Sequence, residues 1–158
     1  MMNASNTYFE NLKRICHEWE AARAERKARK QKIIDTLGWD SDELKAWYEE
    51  DAAAKFPFES GVSKAYRAWA QSLSRKEDEL EMDDFLWEKE VGDFVEALRS
   101  AGITSFIYTN QSTAVMENLR QLAAAGCTME GLCTITRHET RWGDEEPTEV
   151  MGIRFNLN

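Results

Sequence analysis

The side chains best equipped for chemistry in this chain are few and scattered. In IYTNQSTAVMENL, residues 107–119, four small polar residues, Asn110, Gln111, Ser112 and Thr113, separate an apolar run from a helical pattern. Where a strand ends and a helix begins, the first backbone N–H groups of the helix point outward and can hold an anion, which makes the cluster a candidate anion site. It has no glycine to let the backbone wrap a phosphate and no adjacent lysine, so it matches neither a phosphate loop nor a dinucleotide fingerprint. Capping by Ser112 or Thr113, with Asn110 shaping the turn, is the simpler reading.

Cys127, Cys133 and His138, with Cys16 or His17, are the available metal ligands, but their spacings are not those of a zinc knuckle. Along a strand, Cys133 and His138 differ by an odd number and point to opposite faces. Cys16 and His17 are adjacent on a helix and cannot face each other as nucleophile and base. The carboxylates crowd into KEDELEMDD and GDEEP, which read as solvated runs, and no catalytic motif accompanies them. The expectation is a non-enzyme with no metal and no cofactor.

Charge is the stronger clue. Residues 1–32 sum to +4, residues 33–98 to −11 and residues 99–158 to −2. An acidic middle repels phosphate and attracts basic protein surfaces, so Asp42, Glu43, Glu49, Glu50 and Asp51 are candidate partner-binding residues. A second candidate surface is the last hairpin, where Arg137 and Arg141 share a strand face, Arg154 lies across from them and Trp142 stands near the turn. Arginine and tryptophan are enriched at binding hot spots; the plainer reading pairs these arginines with Glu139 or Glu149 across the strands. The basic stretch ARAERKARKQK, 22–32, is either a nucleic-acid or dimer arm, or a surface salt-bridged to the acidic middle. The latter suits the charge asymmetry better.

Periodicity supplies the elements that must carry these residues. Tyr8, Leu12, Ile15, Trp19 and Ala22 follow helical spacing, and nothing breaks the segment before Gly38. Asp40 opens a second helix and Val62–Leu73 marks a third. The polar run 72–84 reads as a helical extension or a charged connector and marks the boundary between the halves. Asp84 then caps a helix with Val91, Phe94, Val95 and Leu98 inward, ITSFIYT is a strand, a helix carries Val115–Ala123, and strands over 131–142 and 149–157 close the chain about GDEEP. The expected architecture is α+β, a helical region of three helices over 1–80 packed on an α-β-α-β-β domain over 81–158 with a three-stranded sheet. No span reaches membrane length and no secretory signal is evident, so the expected location is cytoplasmic.

The blocks AGITSFIYTNQSTAVMENL and AAAGCTMEGLCTITRHETRWG, with the closing GIRF, resemble a family of short proteins from gut Firmicutes, often encoded on conjugative elements or phages. The resemblance covers roughly the last 75 residues and brings no assigned activity. Mobile elements carry small acidic proteins whose carboxylates stand in for phosphates against host nucleases. The resemblance therefore implies a protein-binding inhibitor of a nucleic-acid-processing defence enzyme, of anti-CRISPR or anti-restriction type. A nucleic-acid-associated accessory protein using the basic first helix and the arginine hairpin is the alternative.

Overall fold

The computed structural model describes Met2 and residues 5–157, with Arg141 described by its backbone alone. It is α+β and divides into two compact units, Asn11–Pro57 and Met1–Glu10 with Phe58–Asn158. The boundary expected near residue 80 falls inside the second of these, because the helix Ser60–Ser74 packs with the helix Glu88–Ser100 and with the sheet. Among the described residues no helix is long and apolar enough to cross a membrane.

The unit Asn11–Pro57 is built from most of α1 (Thr7–Leu37) and α2 (Asp42–Ala53). Ser41, one residue beyond the expected cap, starts α2 by accepting a hydrogen bond from the Leu44 N–H at 3.1 Å. Leu44 and Trp47 are buried, and the Trp47 indole donates to the Arg26 carbonyl at 2.8 Å. Lys30 lies over the Trp47 and Tyr48 rings at 5.0 and 4.7 Å. The charged half of α1 thus uses its Lys and Arg stems as packing surface.

In the other unit, α3 (Ser60–Ser74), β1 (Glu81–Met82), α4 (Glu88–Ser100), β2 (Ser105–Tyr108), α5 (Val115–Ala124), β3 (Thr128–Arg141) and β4 (Asp144–Asn156) follow in order. The sheet has four strands, not the three expected, in the order β1-β2-β4-β3, with β1 parallel to β2 and the other pairs antiparallel. The extra strand lies inside the supposed connector. There Leu80 and Met82 are buried and alternate with Glu79, Glu81 and Asp83, which is the two-residue period of a strand. Phe106 stacks on Phe155 at 5.5 Å and meets Phe94 of α4 edge-on at 5.5 Å, fixing the core between sheet and helices.

Two local features shape the long β3–β4 hairpin. It turns at Trp142 and Gly143, with φ of 54° and 88°, the left-handed pair of a type I′ turn, so Asp144–Pro147, expected as the turn, belongs to β4. At Gly152, β4 crosses the end of β2 so closely that a Cβ would stand 2.6 Å from Ile107 Cγ2 and 2.8 Å from the Tyr108 carbonyl oxygen. Only glycine fits there.

Candidate functional site

Arg137 and Arg154 of the hairpin are each held by a carboxylate of the β1 segment. Arg137 Nε donates to both oxygens of Glu81, at 2.5 and 2.8 Å, and Arg154 grips Glu79 through Nε and Nη2 at 3.0 and 2.6 Å. Arg75, at the end of α3, reaches Asp83 at 2.9 Å, Glu81 at 3.3 Å and Glu139 of β3 at 2.9 Å. The expected cross-strand partners of Arg137 and Arg154 were Glu139 or Glu149; the observed ones come from the β1 segment. There Glu77, Glu79, Glu81 and Asp83 occur at every second residue. Local hydrogen bonds hold this layer in place. Ser72 Oγ accepts from the Glu81 N–H at 2.9 Å, and the His138 N–H donates to the Arg75 carbonyl at 2.8 Å, tying α3 to β3.

The layer is buried at Glu77 and Glu81, partly exposed at Glu79, Asp83 and Arg154, and electrostatically uneven. The Glu81 side chain is fully buried, and its hydrogen bond to Arg137 raises the guanidinium pKa further, against the opposing effect of burial. Glu77 is 1% exposed, and among the described residues neither of its oxygens has a hydrogen-bond partner and Arg75 Nη1 stands 3.9 Å away. Burial first, and the charge of Glu81 second, push the Glu77 carboxyl up to about 8. A carboxyl with no donor facing it is better accommodated as the neutral acid.

The polar cluster 110–113 is engaged in its own turn. Asn110 Nδ2 donates to the Asp83 carbonyl at 2.9 Å, while its Oδ1 accepts from the Ser112 N–H at 3.1 Å and the Ser112 hydroxyl at 2.6 Å. Ser112 therefore closes an Asx turn before the helix. α5 begins at Val115 with Ala114 in the cap position, so neither Ser112 nor Thr113 caps it. Gln111 and Thr113 are exposed. Ser112 and Thr113 border a cleft of about 560 Å³, at the carboxyl ends of β1 and β2, whose walls also carry Phe85, Trp87, Glu88 and Glu117. Two carboxylates and no lysine or arginine in that lining oppose an anion. The floor is closed by Asn118, which accepts from Tyr108 Oη at 2.7 Å and the Leu86 N–H at 2.9 Å and donates to the Leu86 carbonyl at 2.5 Å. Burial, and then the nearby Asp84, raise the Tyr108 hydroxyl to about 12, so it stays a donor.

In the helical unit the expected surface salt bridges between α1 and α2 are present. Arg29 pairs with Glu50 at 2.5 Å and Arg26 with Asp51 at 3.3 Å, while Asp42 meets Lys45 of its own helix at 3.5 Å. The hydrogen bond from Arg29 lowers the Glu50 pKa. Glu43 and Glu49 are exposed on the same helix. Trp142 is fully exposed at the hairpin tip; the Arg141 side chain lies outside the described residues. Cys16, Cys127 and Cys133 are free thiols, and burial raises all three. Among the described residues no three His, Cys, Asp or Glu side chains converge as a metal site.

A family described as Domain of unknown function (DUF7698) matches residues 64–157, more than half of the chain. The chain belongs to the DUF7698 family. No curated protein and no solved structure matches it. The DUF7698 region begins within α3 and takes in every member of the carboxylate–arginine layer, from Arg75 to Arg154. Arg75, Glu77, Glu79, Glu81, Asp83 and Asn118 are the site residues that reading the sequence did not single out. The alternation of acids with Leu80 and Met82 was the available signal.

Proposed function

We propose that the protein is a non-enzymatic binding module that meets a basic protein surface with its acidic one. The observation that carries this reading is the fate of the arginines: Arg75, Arg137 and Arg154 are held by carboxylates of their own unit, and Arg26 and Arg29 by α2. The guanidiniums best suited to phosphate are thereby occupied, while Glu43 and Glu49 remain at the surface of a chain with net charge −9. The sharpest form of the proposal is inhibition of a nucleic-acid-processing defence enzyme in the cytoplasm, with carboxylates in the place of phosphates. Its support is this acidity together with the resemblance of the C-terminal blocks to proteins of mobile elements.

Immobilised protein should retain a restriction or CRISPR nuclease, and added duplex DNA should compete the nuclease off. Glu43→Lys with Glu49→Lys should weaken retention. Failure to retain or inhibit any such nuclease counts against the proposal. Exposed Arg23, Lys27 and Lys32 on α1 favour the second reading, nucleic-acid association. A gel-shift at low salt that shows no complex with DNA or RNA removes it.

A further inference from the structure

β3 is an edge strand whose outer side is engaged near its far end and bare before it. Its inner side pairs with β4 from Thr128 to Arg141, and the register shifts once, between Met129 and Gly131. At His138 the outward N–H is already taken by the Arg75 carbonyl. In an antiparallel ladder alternate residues turn both backbone groups to the same side. With unbroken register from Gly131 to Arg141, the residues facing outward with His138 are Thr136, Thr134 and Leu132. Among the described residues none of these three has a backbone partner on that side. All are exposed, Leu132 at 75%, and Met151, paired with Thr134 and 59% exposed, extends the apolar surface beside them. Sheet edges are normally blunted by charge, proline, bulge or cover. The stretch Leu132–Thr136 has no charged residue and no proline, and the bulge precedes it.

We propose that Leu132–Thr136 is a self-association edge, through which two copies of the chain pair antiparallel about a two-fold axis at Thr134. The pairing is self-complementary: Thr134 meets its own counterpart, and Leu132 meets Thr136. Exposed Glu130 precedes the window, and at its other end exposed Lys76, which follows the residue bonded to His138, is held by Glu145 of its own chain at 2.8 Å. Antiparallel alignment brings Glu130 of one copy beside Lys76 of the other at both ends, where it can share that ammonium with Glu145. In a chain of net charge −9 this uncharged window is a place where a second copy approaches without facing like charge.

Sedimentation or light scattering of the full chain over a range of concentrations tests the proposal. A concentration-dependent dimer is expected, strengthening as salt screens the repulsion between two acidic chains. Thr134→Pro removes an outward N–H and leaves the ladder to β4 intact, so it should abolish the dimer with an unchanged circular dichroism spectrum. Thr134→Cys places two thiols on the axis, where Cα atoms of a hydrogen-bonded pair stand about 5.5 Å apart, within disulfide reach. Under mild oxidation it should give a linked dimer above the parent's level, and Thr136→Cys should not. A chain that stays monomeric at every concentration and salt, a dimer that survives Thr134→Pro, or equal cross-linking by the two cysteine variants overturns the proposal. If Thr134→Pro does not fold, the cysteine pair decides.

Discussion

The ion pairs between α1 and α2 and those beneath the β3–β4 hairpin use the same side chains to opposite ends. Arg29 and Glu50 are each about half exposed, whereas Arg137 is 19% exposed against a Glu81 that is fully buried. In water the attraction between two ions is weak and screened, and separating them leaves both hydrated. Under the hairpin, separating them leaves a carboxylate with no solvent to replace its partner. The Arg29–Glu50 pair therefore decorates an interface made by Trp47 and Leu44. The buried pairs decide where the hairpin lies.

Replacing Arg137 with Met should have the largest effect, a loss of about 3 kcal/mol in urea denaturation, because the buried Glu81 then keeps only its longer bond to Arg75 at 3.3 Å. Glu81→Leu added to it should restore most of that loss. If the double variant is as unstable as the single one, burial of a poorly compensated charge is not the cause. Gly152→Ala comes next. Its Cβ would overlap Ile107 and the Tyr108 carbonyl, and the melting temperature should fall by an amount equivalent to about 1–3 kcal/mol.

Glu77 sharpens the contrast through pH. Its carboxyl goes from 4.5 to about 8 on folding, so between these values the native state binds the additional proton. Stability is then greatest below the lower value, declines as pH rises toward 8, and is level beyond it. Glu77→Gln should flatten that decline in denaturation curves measured across pH 5 to 8. The smallest effect is expected from Arg29→Ala, with no measurable change in the denaturation midpoint at any ionic strength. A clear loss there would erase the distinction between the two sets of pairs.

The contrast also marks what the sequence could disclose. Helical spacing placed the first helix from Tyr8 to Leu37, against an observed Thr7–Leu37, and the alternation of Met151, Ile153, Phe155 and Leu157 placed the last strand, although Met151, expected on its core face, is 59% exposed. Both are local patterns in which each residue reports on near neighbours. The surface pairing of the basic stretch with the acidic middle was legible because it needs only opposite charge on adjacent helices. β1 was hidden because its ladder covers two residues and its outward side is acidic, a composition that ordinarily means solvent. Those acids are held by the nearby Arg75 and by Arg137 and Arg154, 56 and 75 positions away and beyond the reach of any local window. The capping assignment at Ser112 failed for a smaller reason. The serine hydroxyl donates to Asn110 and accepts from the Ala114 N–H, which lies before the helix begins at Val115.

The 56-residue separation of Glu81 and Arg137 has a consequence for the order of folding. The β3–β4 hairpin closes through a two-residue turn and can zip locally, whereas bringing Arg137 to Glu81 requires closing a much longer loop. Both ions should still be hydrated at the rate-limiting barrier and lose water only on the native side of it. In a chevron analysis, Arg137→Met should then leave the refolding arm nearly unchanged and raise the unfolding arm. The layer would act as a latch that closes last, governing how long the folded protein persists more than how fast it forms.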